Sequence, residues 1–182
     1  MAFTRRETLI AAGEALTGYM FVDKESLWEA EQASGSSAAS QYPEGNKRLA
    51  MIGDAVLKLV LLEDLRSRNL PRGKNTHNYP VYGPNLVATH MLREDLGSMD
   101  NVLQSIVNNT HLEMIGRRIH IDELVNANPS QQGYVSPRIV ADTLEAIIGA
   151  VYLDSGKDTE SVRLVMTTLG LWPREPEQSA SL

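Results

Sequence analysis

Apolar residues recur at three- and four-residue spacing along most of this chain, and the breaks in that recurrence divide it into helices. Thr4-Arg5-Arg6-Glu7 has the form of a capping box, and Leu9, Ile10, Leu16 and Met20 follow at helical spacing to Gly18 and the Tyr19-Met20-Phe21 segment, which predicts a first helix. Asp23 reads as the N-cap of a second, carrying Leu27, Trp28 and Ala30 toward a mobile Ser/Gly/Ala-rich loop, Ser34 to Ser40. The longest helical pattern runs from Asn46 to about Asn69. It points Leu49, Met51, Ile52, Val56, Leu59, Val60 and Leu62 inward and sets Glu63, Asp64, Arg66 and Arg68 in exposed opposite-charge pairs near its end.

Three prolines and two glycines between Leu70 and Pro84 break the pattern and predict a loop excursion over 70–84. Helical spacing resumes over about 85–95 and 99–107, and Thr110-His111-Leu112-Glu113 offers a capping box for a helix ending near Gly116 to Arg118. After a polar loop from Asn126 to Tyr134, Ser136-Pro137 supplies an N-cap with proline at the first helical position. The stretch that follows, Ile139 to Leu153, is the most apolar of the chain and ends near Ser155-Gly156. A last helix is predicted over Thr159–Leu169, before a Pro/Glu/Ser tail. No internal repeat and no pair of strands stands out, so the expected class is all-α: one domain over 1–172 and a flexible tail over 173–182.

Composition narrows the function classes. The 182 residues are 42% hydrophobic and 22% charged, as expected of a globular domain with a sizeable core. Seventeen basic against 23 acidic side chains give a net charge of −6, the wrong sign for holding nucleic acid by bulk electrostatics, so any RNA contact must come from local patches or an RNA-binding partner protein. With no cysteine there are no disulfides or thiolate metal sites, and no apolar run approaches a transmembrane span, which argues against a membrane role. The expected location is intracellular, in cytoplasm or nucleus. Arg5 and Arg6 leave a mitochondrial address as the alternative, against which Glu7 and Glu14 count.

Against this background three carboxylates are out of place. Asp142 and Glu145 stand at i, i+3 inside the most apolar helix, and Asp54 stands between Ile52 and Val56 in the longest one. An ionised group withdrawn from water has to be paired, hydrogen-bonded or bound to a metal. If the two helices face each other, three hard oxygen donors converge in the manner suited to Mg²⁺ or Mn²⁺, with Ala146, Gly149 and Ala150 permitting a close approach. A purely structural ion-pair or hydrogen-bond role would account for the same three acids.

The residues around these acids carry a resemblance. Asn46-Lys47-Arg48-Leu49-Ala50-Met51-Ile52-Gly53-Asp54-Ala55-Val56-Leu57 resembles the ribonuclease III signature N-E-R-L-E-F-L-G-D-A-V-L, and Val140 to Gly156 is similar at almost every position to that family's second motif, L-A-D-x-x-E-A-L-I-G-A-x-Y-L-D-S-G. Tyr19 to Leu27 and Ile106 to Thr110 resemble further family segments, so the likeness spans roughly residues 10–170. It implies the helical endonuclease fold of that family, here without a double-stranded-RNA-binding domain. It also implies a homodimer formed through the signature helix with Met51 at the interface knob, and Mg²⁺-dependent cleavage of double-stranded or structured RNA. Asp54 and Glu145 are then the catalytic positions, and Asp54, Asp142 and Glu145 the metal ligands.

Two signature glutamates are missing, with Lys47 at one place and Ala50 at the metal-binding one. The spacing of Lys47, Ala50 and Asp54 would let the lysine ammonium reach the gap that Ala50 leaves, giving a weakened site that holds at most one ion tightly. Lys47, Arg138, Arg117 and Arg118 are the candidate RNA contacts, with solvated helix ends as the alternative. Two functions follow: an endoribonuclease, favoured by the three retained acids, and a catalytically inactive scaffold in an RNA–protein assembly such as the mitochondrial large ribosomal subunit, favoured by the two missing ones.

Overall fold

A computed structural model describes residues 3–67, 103–104 and 106–171, and within these the chain is helical with no strand, apart from one isolated bridge between Gln32 and Asn126. The helices are α1 (Arg5–Thr17), α2 (Lys24–Ala30), α3 (Lys47–Ser67), α4 (Asn109–Arg118), α5 (Ile121–Leu124), α6 (Pro137–Asp154) and α7 (Thr159–Leu169), with a 3₁₀ turn at Pro129–Gln131. The predicted excursion at 70–84, the helical pattern at 85–95, part of that at 99–107 and the tail at 173–182 lie outside the described residues.

Local chemistry sets most of the boundaries. The Thr4–Glu7 capping box forms in both directions at the start of α1, and Gly18 closes that helix in the left-handed region at φ +67°. Asp23 caps α2, Ser136 caps α6 ahead of Pro137, and Asp158 caps α7 by accepting from two backbone amides. One expectation is corrected: α4 is capped by the Asn108 side chain, which accepts the His111 N–H at 2.9 Å, and not by Thr110. Thr110 lies exposed in the first turn, where a hydroxyl can no longer meet the free amides ahead of it.

Helix α6 is the axis of the fold. From Val140 to Val151 every residue but Asp142 is buried, the pattern of a helix wrapped on all sides. It packs mainly on α3 and α4, with α2, α5 and α7 completing the shell. The buried face of α3 is Leu49, Ala50, Gly53, Val56, Leu57, Val60 and Leu61. Two residues expected to point inward do not, because Met51 is 75% exposed and Leu59 43% exposed. Together with Ala55 they form an outward apolar stripe at i, i+4, i+8, so α3 is apolar on two faces and periodicity alone cannot say which one meets the core. The acids near the end of α3 are bridged across helices, with Arg163 of α7 reaching Asp64 at 2.9 Å and Glu63 at 3.6 Å. Among the described residues no helix is long and apolar enough to cross a membrane.

Candidate metal centre

The site is made by the contact of α3 with α6, and two glycines allow that contact. A Cβ on Gly53 would lie 1.7 Å from the Glu145 carbonyl oxygen, and one on Gly149 would lie 2.3 Å from the Leu49 carbonyl oxygen. Backbone therefore touches backbone at this crossing. Gly149 is where the sequence placed the close approach; Gly53 is its counterpart on the other helix.

A buried amide fixes the register of the two helices. Asn46, just ahead of α3, donates from Nδ2 to the Ala30 carbonyl at 2.8 Å and to Thr143 Oγ1 at 3.1 Å, so one side chain ties the end of α2 to the middle of α6. Its own backbone N–H donates to the Gln32 carbonyl at 2.8 Å. Sequence reasoning passed over Asn46. The available signal was a polar residue with short reach directly before an apolar helix, and its buried partners could not be read from the chain. Gln32 extends the network, its Oε1 accepting from Ser36 Oγ and from Asn126 Nδ2.

This framework brings Asp54, Asp142 and Glu145 into one electrostatic neighbourhood. Glu145 is 8% exposed, and its carboxylate makes no hydrogen bond among the described residues. Burial pushes its pKa up to about 7, the charges of Asp54 and Asp142 add to the rise, and Lys58 and Arg138 oppose it. The other two acids face cations on their own helices: Asp54 Oδ2 meets Lys58 Nζ at 2.6 Å, and Asp142 Oδ1 meets Arg138 Nε at 3.2 Å. Arranged so, no three acidic or histidine side chains among the described residues grip a single ion position. Their donor chemistry nonetheless suits one hard divalent cation, because Glu145 is a buried carboxylate without a hydrogen bond and two more carboxylates adjoin it. Ala50, 6% exposed on the same face of α3, adds no oxygen to this donor set.

The remaining candidate residues divide. Lys47 is exposed at the start of α3, and the lysine that meets Asp54 is Lys58, one turn further along the helix and not singled out by the sequence reading. An i, i+4 partner on the same face reaches its acid with little side-chain extension, whereas Lys47 is seven residues away. Arg117 is committed within the fold: it meets Glu113 at 2.7 Å and Asp122 at 3.5 Å, and donates to the Val135 carbonyl at 2.8 Å. Arg118 is exposed, and Arg138 combines an exposed side chain with its contact to Asp142. Asp154, at the far end of α6, accepts from the Tyr19 hydroxyl at 2.9 Å and from the Val22 and Asp23 amides at 2.9 and 2.7 Å. It thereby holds a turn on which Met20 and Val22 stand exposed.

Comparison with known proteins agrees with this architecture. A family model described as ribonuclease-III-like matches residues 33–169. The chain is 30% identical over 156 residues to ribonuclease 3 of Vibrio atlanticus, covering 84% of this chain and 56% of that protein. It is 31% identical over 153 residues to ribonuclease 3 of Aliivibrio fischeri, covering 82% and 56%. It thus spans about half the length of the curated relatives it matches. Among solved structures, the nuclease domain of ribonuclease III from Campylobacter jejuni superposes with a TM-score of 0.64 at 23% identity, covering 92% of this chain and 98% of that one. A second structure of that domain, described for flexibility in a region involved in dimer formation, gives 0.60 at 24% identity, covering 87% and 97%. These two likenesses bear on the fold.

Proposed function

The chain belongs to the ribonuclease III-like family, and on that footing we propose that it is an endoribonuclease domain that hydrolyses phosphodiester bonds in double-stranded or structured RNA with one divalent cation, Mg²⁺ or Mn²⁺. The observation that carries the reading is the placement of Glu145, buried and without a hydrogen bond, against Asp54 and Asp142 across a glycine-lined helix contact. A carboxylate in so largely buried a position is costly to ionise, and a bound cation would offset that cost.

Asp54, Asp142 and Glu145 would hold the ion. When bound, such an ion lowers the pKa of its water and polarises the phosphoryl oxygen. The chain's own part is to keep the three carboxylates fixed relative to one another: Asn46 sets the register of α3 and α6, and Gly53 and Gly149 set their separation. Arg138, exposed beside Asp142, Lys47, exposed at the start of α3, and Arg118, exposed at the end of α4, are the cations assigned to RNA phosphates. Arg117, with three acceptors within the fold, drops out of that group. With a net charge of −6 to overcome, an RNA-binding partner protein fits the reading.

The homodimer belongs to the same proposal. Met51, Ala55 and Leu59 form an exposed apolar stripe on the signature helix, and Met20 and Val22 are exposed on the turn held by Asp154. A second reading, the catalytically inactive RNA-associated scaffold, is favoured by one observation: Ala50 supplies no oxygen where the family motif has an acid.

The deciding experiment incubates the purified chain and a Glu145→Gln variant with a labelled RNA duplex, with and without Mg²⁺ or Mn²⁺. Divalent-dependent cleavage by the wild type and its loss in the variant are expected. Duplex binding with no difference in cleavage between the two would sink the nuclease reading in favour of the scaffold.

A further inference from the structure

We propose that Lys58 is a built-in cation of the acidic cluster: its ammonium group supplies countercharge that a second divalent ion would otherwise bring, and so limits the site to one divalent ion per protomer. The proposal rests on the metal-binding role given above to Asp54, Asp142 and Glu145, and concerns how many ions they take and how tightly.

Three features of the structure support it. Lys58 Nζ lies 2.6 Å from Asp54 Oδ2, on the same face of α3 and one turn beyond it, while Ala50 lies one turn before it and is buried with no donor to offer. The face that presents Asp54 therefore carries a cation on one side and a methyl group on the other. Next, Arg138 stands on Asp142 at 3.2 Å, so both acids that flank Glu145 already have a positive neighbour. Counted with Glu145 deprotonated, as a metal-binding carboxylate must be, three carboxylates and two cations give a net side-chain charge of −1, which a single divalent ion already exceeds. Finally, the two cations differ in how firmly they are placed. The Arg138 side chain is 74% exposed and can swing toward solvent or RNA, whereas that of Lys58 is 37% exposed, carries a compact charge and makes the shorter contact.

An i, i+4 pair that only steadied α3 would leave ion binding untouched, and this separates the two roles. The test titrates Mn²⁺ into the full chain without RNA, by calorimetry and by electron paramagnetic resonance of free Mn²⁺. The samples are wild type, Lys58→Met, Lys58→Arg and the double variant Ala50→Glu/Lys58→Met, each checked by thermal melting.

The wild type should take one ion. Lys58→Met should bind it about tenfold more tightly, a change of about 1.4 kcal/mol, and the gain should shrink as salt screens the removed charge. Lys58→Arg should stay near the wild type, and the double variant should take a second ion. Equal or weaker binding by Lys58→Met, two ions on the wild type, or no ion on any variant would overturn the proposal. Duplex cleavage is scored separately. A wild type that takes one ion and cuts nothing defeats the nuclease reading and leaves Lys58 its role; one that cuts while Lys58→Met binds Mn²⁺ unchanged does the reverse.

Discussion

Replacing Gly53 by alanine places a methyl carbon where the backbone of α6 already lies. The added Cβ would sit 1.7 Å from the Glu145 carbonyl oxygen, 2.6 Å from its carbonyl carbon and 3.0 Å from the Gly149 nitrogen, whereas ordinary contact begins at 3.4 Å. A flexible side chain could turn aside, but this carbonyl belongs to the hydrogen-bond ladder of α6 and can move only with the helix. Overpacking against backbone costs about 3 kcal/mol, and the better helix propensity of alanine returns up to about 1 kcal/mol, so a net loss of about 2 kcal/mol is expected. For a chain of this size that lowers the melting temperature by about 4–8 °C. Gly149→Ala, whose Cβ would lie 2.3 Å from the Leu49 carbonyl oxygen, should act in the same direction. The double variant should lose less than the sum, because one separation of the helices relieves both clashes. Since Asp54 and Glu145 move apart with their helices, Mn²⁺ binding should weaken as well. A Gly53→Ala protein that melts within about 1 °C of the wild type and binds Mn²⁺ equally would refute the idea that backbone contact sets the site.

Glu31 offers a pH test on a buried acid outside the proposed metal site. Both of its carboxylate oxygens are buried without a hydrogen-bond partner, and burial pushes its pKa from an ordinary 4.5 up to about 8. Because the folded value lies above the unfolded one, the stability is intact below about pH 4.5 and is lost progressively as pH rises toward 8. Glu31→Gln should remove that loss, so its unfolding free energy should pull ahead of the wild type between pH 5 and pH 8 by an amount on the order of a few kcal/mol; parallel curves of stability against pH would refute the assignment. Met51→Asp should convert a dimer to a monomer in sedimentation at micromolar concentration while leaving the monomer's fold intact, because the side chain is 75% exposed within the chain. A dimer that survives the change would show that the apolar stripe on α3 is not the interface.

The all-α class, the caps at Thr4, Asp23 and Ser136, and the bounds of the last helix were legible in the sequence because each follows from interactions within a few residues. The three acids were legible for a similar reason: a charge in an apolar run is an anomaly that needs no coordinates. What the chain could not disclose depends on contacts between segments distant in sequence. Which apolar face of α3 meets the core, and hence that Met51 and Leu59 point outward, was decided by where α6 lies. That Asn46 joins Ala30 to Thr143, 97 residues away from it, is likewise a tertiary fact. So is the commitment of Arg117 to Asp122 and the Val135 carbonyl. The choice of Lys58 over Lys47 as the partner of Asp54 turned on reach along a formed helix, where one turn is short and two are long. Sequence alone determined that this protein would be helical and would carry acids inside the apolar runs of two helices; only the packing of α3 on α6, backbone against backbone at Gly53 and Gly149, buried Glu145 and brought Asp54 and Asp142 near it, because folding fixes the distance between segments that the chain itself leaves free.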